Sequence, residues 1–118
     1  MSVGSGISNN PQPATPQPVA PSTFTTAATA RTLTDSDHGQ FLAFSAAGAV
    51  TLTVPVGLRP GFFCWVLQAG AGTVTPTSAS GVTINQHGAV TGTAAQWAVI
   101  RLTNTGVADV YVMSGDMA

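Results

Sequence analysis

Residues 40–68 read QFLAFSAAGAVTLTVPVGLRPGFFCWVLQ, and their pattern identifies the class of fold. Within them, the segment 49–55 alternates from Val50 to Val54 between apolar side chains and threonine, which is the period of a half-buried β-strand. The apolar residues that share one side are Val50, Leu52 and Val54. Apolar runs over 40–44 and 62–68 flank this strand, and small residues, Gly and Pro separate the three segments. The stretch predicts three β-strands and no helix.

The rest of the chain after Phe24 continues in the same way. Further strands are predicted at five places, namely 29–34, 73–77, 81–85, 97–103 and 110–114. Pro76 lacks a backbone N–H, so its strand belongs at the edge or the end of a sheet. A Val-Thr pair recurs at 50/51, 74/75, 82/83 and 90/91, which we interpret as strand-and-turn rhythm and not as a repeat architecture. Residues 23–118 are thus expected to form one all-β domain, an antiparallel sandwich or barrel of seven or eight short strands.

The first 22 residues differ sharply in composition from this domain. Residues 11–21 read PQPATPQPVAP, and the residues before them are polar and rich in glycine. Five prolines are the residues through which this segment is expected to anchor the domain to a partner: Pro11, Pro13, Pro16, Pro18 and Pro21. Proline at this density excludes helix and sheet interior and favours an extended polyproline II arm. Two PxxP spacings occur, but no Arg or Lys flanks them, so an arm or linker is preferred over an SH3-type ligand.

Charge is scarce in this chain. Charged residues make up 6% of it, the net charge is −1, and soluble domains carry roughly a quarter. A chain with three Arg and no Lys has no basic surface for nucleic acid or for anionic membranes. Near-neutral, charge-poor surfaces tend to associate, which favours a protein that works inside an assembly.

The densest polar cluster is Asp35-Ser36-Asp37-His38-Gly39. Alternate aspartates before glycine resemble the start of a calcium loop, but no acidic ligand follows downstream. Asp and Gly are common turn formers, so a turn built on Asp35, Asp37 and Gly39 is preferred and no metal is expected.

The sequence outside residues 35–39 gives little support for a catalytic site. The two histidines and Cys64 have no zinc spacing, no Gly-x-Ser-x-Gly elbow is present, and the chain contains no Glu. A lone cysteine also cannot form an internal disulfide. We expect neither enzymatic activity nor a cofactor.

The aromatic residues allow two interpretations. Trp65, Trp97 and Tyr111 lie in apolar predicted strands, where core packing is preferred over a sugar-binding platform. Arg101 shares a strand face with Trp97 and Val99 by the two-residue period, and it needs water or a partner such as an Asp. Because residues 62–68 are apolar on both faces, their strand is either central or covered by a neighbouring subunit. Five residues are candidates for an oligomer interface: Phe63, Trp65, Leu67, Trp97 and Arg101.

Three segments carry a resemblance to a known family. They are RTLTDSDHGQFLAFSAAGAVTLTVPVGLRPGFFCWVLQAGAGTVT over 31–75, then GVTI, and finally YVMSGDMA at 111–118. In order and spacing they resemble a small β-domain of tailed-bacteriophage virion proteins of the fibre, spike and head-decoration types. Pro76 departs from that pattern, in which an apolar strand residue is more usual. The resemblance implies a non-enzymatic structural module that is commonly trimeric.

The resemblance and the short arm together favour a capsid decoration or head-spike protein. It would assemble in the host cytoplasm, attach through its arm to the major capsid protein on the virion surface, and form a homotrimer. The alternative is a receptor- or carbohydrate-binding tip of a phage fibre, although a host glycan is not the favoured partner. A free-standing cellular β-sandwich is third. An exposed cluster of Trp65, Trp97 or Tyr111 would favour the fibre tip, and burial of all three would favour decoration.

Overall fold

The fold is all-β, as the sequence predicts. The computed structural model describes residues 23–118, so the proline segment and its two PxxP spacings lie outside the described residues. Nine strands occur in the described part: β1 Thr23–Thr26, β2 Ala30–Thr32, β3 Phe41–Phe44, β4 Val50–Val54, β5 Phe63–Gln68, β6 Val74–Ser78, β7 Thr83–Gln86, β8 Val99–Asn104 and β9 Val110–Gly115. Each predicted strand overlaps one of β2 to β9, and β1 is additional.

The expected antiparallel sandwich or barrel is wrong. The strands form a six-stranded sheet in the order β1-β3-β5-β8-β9-β7 and a three-stranded sheet in the order β2-β4-β6. The first six strands alternate between the two sheets and pair in parallel, whereas only the β5–β8 and β8–β9 pairs are antiparallel. The alternation of apolar and polar residues along a strand shows which side of the strand is buried. The same alternation occurs with parallel and with antiparallel neighbours, so it does not predict the direction of pairing. The turns between the first seven strands therefore lead the chain from one sheet to the other, and within residues 23–118 only the turn between β8 and β9 closes a hairpin.

The first six strands make three stacked turns of a solenoid-like coil. Phe41 pairs with Trp65 and Val50 with Val74, so the second and third turns are offset by 24 residues in both sheets. The Val-Thr pairs at 50/51 and 74/75 lie directly on each other in this register. Our interpretation of those pairs as mere strand-and-turn rhythm is corrected, since they mark equivalent positions of a structural repeat.

Glycine allows these turns to approach closely at one corner. The backbone N–H groups of Ala69 and Gly70 donate to the carbonyl of Phe44, and that of Gly72 donates to the carbonyl of Ala46. A Cβ placed on Gly72 would lie 1.8 Å from the carbonyl oxygen of Gly48 in the turn beneath. Backbone stacks on backbone at this corner, and a side chain would force the turns apart.

The core fills the space between the two sheets. Its fully buried members include Leu42, Phe44, Leu52, Val66 and Tyr111. Strand β5 is central, with β3 and β8 as its neighbours. Strand β6 forms an edge of the three-stranded sheet, which confirms the placement predicted from Pro76.

Polar side chains close both ends of the coil. Beyond β6, Thr93 receives a hydrogen bond from the N–H of Val74 and donates through its hydroxyl to Gln68, while its N–H donates to the Val74 carbonyl. In the first turn Arg31 lies 4.4 Å from the centre of the Phe24 ring and pairs with the buried Asp37. Burial of Thr93, Gln68 and Asp37 is tolerated because their side chains are hydrogen-bonded. No helix in residues 23–118 is long and apolar enough to cross a membrane.

Replacing Gly72 by alanine should destabilise the domain by at least about 2 kcal/mol, because the added methyl group collides with the turn beneath. The matched control is Gly48→Ala, since a Cβ at Gly48 meets nothing within 4 Å and should change stability by no more than about 0.5 kcal/mol. Urea unfolding of both variants measures the difference. Equal stability of the two variants would contradict the stacked corner.

Candidate interaction face on the six-stranded sheet

Strand β5 presents a row of large apolar side chains away from the core. Along it, Phe63, Trp65 and Leu67 are half-buried and alternate with Cys64, Val66 and Gln68, which are buried. The position of β5 between β3 and β8 confirms the central-strand alternative predicted for residues 62–68.

The strand register extends this row into a continuous surface. Trp65 pairs with Phe41 on one side and with Arg101 on the other, and Leu67 pairs with Val99. Thr103 pairs with both Phe63 and Val112. Paired residues project to the same side of a sheet. The outer aromatic face is defined here by Phe41, Phe63, Trp65, Leu67, Val99, Arg101 and Val112.

Arg101 is held on this face by aromatic rings. Its guanidinium carbon lies 4.9 Å from the centre of the Phe63 ring and 5.7 Å from that of Trp65, and the two rings meet edge to face. Such cation–π contacts contribute about 0.5–1 kcal/mol at exposed sites. Arg101 is exposed to water, and within residues 23–118 the ion pair present joins Arg31 and Asp37, so of the two alternatives for Arg101 an Asp partner is not found there.

Trp97 does not belong to the outer aromatic face through the β8 alternation. It precedes β8 with a φ of +73°, in the left-handed region, and its N–H donates to the Gln68 carbonyl. Our expectation that it shares a strand face with Val99 and Arg101 is wrong, because this backbone conformation interrupts the two-residue period.

The three aromatic residues chosen as discriminators have separate environments. Trp97 is 66% exposed, Trp65 is half-buried and Tyr111 is fully buried. They form neither the exposed cluster that would favour a fibre tip nor the fully buried set that would favour decoration.

The Asp35–Gly39 segment is a turn that begins with a short 3-10 helix, Asp35–Asp37, and its carboxylates contact the protein itself. Asp37 accepts hydrogen bonds from the Arg31 guanidinium at 2.6 Å and from the Thr34 N–H at 3.0 Å. Asp35 accepts from the Arg59 N–H at 2.7 Å. Gly39 adopts a φ of +73°, where glycine is unstrained. Within residues 23–118, no three acidic, histidine or cysteine side chains are grouped so as to hold a metal ion.

Cys64 is enclosed in the core. It is fully buried, and this burial, with a smaller contribution from Asp37, raises the pKa of its thiol to about 12. A thiol held in the protonated form is a poor nucleophile. His87 is exposed and distant in sequence from both Cys64 and His38.

Sequence reasoning placed His38 in a surface turn and missed its contacts. Its Nδ1 accepts a hydrogen bond from the Phe63 N–H at 3.3 Å, and its ring packs edge-on against the Phe63 ring at 4.9 Å. His38 thereby connects the Asp35–Gly39 turn to the outer aromatic face. The one sequence signal for these His38 contacts was the cluster of five polar and small residues at 35–39.

No protein-family model matches the chain, and a search of curated proteins found no match.

The stability of the domain should fall at alkaline pH. Burial raises the pKa of Cys64 to about 12 from 9.0, and burial also raises that of Tyr111. The folded chain therefore retains these protons more tightly than the unfolded chain. The contribution of the Cys64 proton to the free energy of unfolding is fully present below about pH 9 and is lost as the pH rises toward 12.

Urea unfolding at about pH 8 and at about pH 10.5 measures this loss, of which the thiol accounts for about 2 kcal/mol. Cys64→Ala should reduce the pH-dependent loss by that amount, and Tyr111→Phe should reduce it further. An unchanged loss in Cys64→Ala would contradict the role of the buried thiol.

Proposed function

We propose that this protein is a structural virion protein of a tailed phage, a capsid decoration or head-spike protein. It attaches to the major capsid protein through residues 1–22 and forms a homotrimer through the outer aromatic face. It has no enzymatic activity and needs no cofactor. The resemblance of residues 31–118 to virion β-domains supports the first part, and the outer aromatic face supports the second.

The observation that carries the proposal is the chemistry of this face. Arg101 is its single charged member, and its guanidinium stacks on Phe63 and Trp65. Val112, at the end of the face, is 40% exposed. Contiguous apolar surface on a chain with 6% charged residues is typical of a surface that another subunit covers.

The proposed anchoring arm joins the domain beside this face. It leads directly into β1, whose Thr23 pairs with Phe41, a member of the outer aromatic face. The arm contains no charged residue, so its contacts would be backbone hydrogen bonds and packing of proline and aliphatic groups. Binding of this kind depends weakly on salt. Proline-rich chain also loses less entropy on docking than ordinary chain.

The purified protein should sediment as a trimer at micromolar concentration. Val112→Arg places a second cation on the outer aromatic face near Arg101 and should convert the trimer to folded monomers. Thr51→Arg is the control, because Thr51 is exposed on the three-stranded sheet and its replacement should leave the trimer intact. A wild-type monomer, or equal behaviour of the two variants, would reject this interface.

A shortened chain of residues 23–118 should fold and remain trimeric but no longer attach to capsids, because the arm adds few apolar side chains to the core. Cosedimentation with DNA-filled heads, at low and high salt, measures attachment of the full and shortened chains. Normal attachment of the shortened chain would place the anchor on the β-domain. Failure to fold would make the arm part of the core.

A fibre-tip protein that binds a receptor or glycan is the second candidate, and the 66% exposure of Trp97 favours it. An exposed indole at the start of a strand is a typical stacking surface for sugar rings. Loss of host-cell adsorption in Trp97→Ala, with capsid attachment unchanged, would favour this candidate over decoration.

A further inference from the structure

A cavity of about 410 Å³ lies between the Asp35–Gly39 turn and the Phe63 end of the outer aromatic face. Its lining residues are Asp35, Ser36, His38, Gly39, Gln40, Arg59 and Phe63. The volume falls within the range of small-molecule sites, roughly 300–1,000 Å³.

Two of the lining side chains are each oriented by a hydrogen bond from the backbone. The Nδ1 of His38 accepts from the Phe63 N–H, so the proton of the neutral ring is on Nε2, which is left to donate elsewhere. The Oδ1 of Asp35 accepts from the Arg59 N–H, which leaves Oδ2 as an acceptor. Groups fixed before binding lose little entropy when a ligand arrives.

The Arg59 side chain supplies the strongest unused donors. Its guanidinium has no hydrogen-bond or ion-pair partner among residues 23–118, in contrast to Arg31, which pairs with Asp37, and Arg101, which stacks on aromatic rings. Arginine carries five N–H donors in a planar fork.

The charges of the cavity are balanced, because Asp35 and Arg59 contribute one of each sign. A phosphate or another anion would meet the Asp35 carboxylate, and a cation would meet the Arg59 guanidinium. A neutral ligand that both donates and accepts hydrogen bonds suits this lining, and the Phe63 ring offers an apolar wall. A sugar ring has these properties, since hydroxyl groups surround its edge and C–H groups cover its faces.

We propose that this cavity binds one neutral pyranose sugar. The part of the Phe63 ring that lines the cavity, and not the part beneath Arg101, packs against the C–H face of the sugar. The Arg59 guanidinium and His38 Nε2–H donate to hydroxyl or ring oxygens, and Asp35 accepts from a hydroxyl. The inference goes beyond the proposed virion role and differs from the fibre-tip candidate in placing the sugar at the turn and not on Trp97.

The test is titration of the full-length protein with glucose, galactose, mannose and N-acetylglucosamine, followed by the amide NMR signals of Gly39, Gln40 and Phe63. At least one of these sugars should shift those signals with saturation in the millimolar range. Arg59→Ala should weaken that binding at least tenfold, whereas Trp97→Ala should leave it unchanged. Both substitutions are at exposed side chains, so the fold should tolerate them.

Glucuronate and inorganic phosphate are the charged probes. Asp35→Asn keeps the acceptor for the Arg59 N–H but removes the negative charge, so it should increase glucuronate affinity relative to glucose. No signal change with any neutral sugar, tighter binding of phosphate than of sugars by the wild type, or loss of binding in Trp97→Ala alone would overturn the proposal. Sedimentation is a separate measurement, so a monomer that binds sugar would reject the trimer and leave this proposal standing.

Discussion

Close stacking of backbone on backbone at one corner of the coil fixes the arrangement of everything around it. At Gly70 and Gly72 the third turn donates N–H bonds to the carbonyls of the second, and no side chain fits between them. This contact sets the register of β5 on β3 and of β6 on β4. Because side chains alternate along a strand, a slip of one residue would exchange the buried Cys64 with the outward Trp65. The core and the outer aromatic face are therefore two consequences of the same register.

Local pattern sufficed to predict every strand except β1 but could not predict which strands pair. The alternation of Val50, Leu52 and Val54 appears in the structure as predicted, as does the edge position of Pro76. Parallel pairing joins residues 24 positions apart, and nothing within one strand encodes that distance. The signal lies in the comparison of 41–55 with 65–79, where Gly, Val and Thr recur at equivalent places: Gly48/Gly72, Val50/Val74, Thr51/Thr75 and Thr53/Thr77.

The same limit applies to the candidate site. That Phe63, Trp65 and Leu67 share a side follows from the period of two. The position of Arg101 above these rings depends on the β5–β8 register, and the contact of His38 with the Phe63 N–H spans 25 residues. Trp97 lies before β8 and has a positive φ, which is uncommon for a non-glycine residue and has no signature in the surrounding sequence.

The few charges of this chain act within the fold more than at its surface. Asp37 pairs with Arg31 beneath Phe24, Asp35 and Asp109 accept backbone N–H bonds from Arg59 and Gly57, and Arg101 stacks on rings. Charges used in this way do little to keep molecules apart in solution. Weak repulsion between molecules is what the proposed position among other subunits requires. The exposed Arg59 guanidinium and Asp116 carboxylate are not used in this way, since neither has a side-chain partner within residues 23–118, and Arg59 borders a cavity that also contains the Asp35 acceptor and the Phe63 ring.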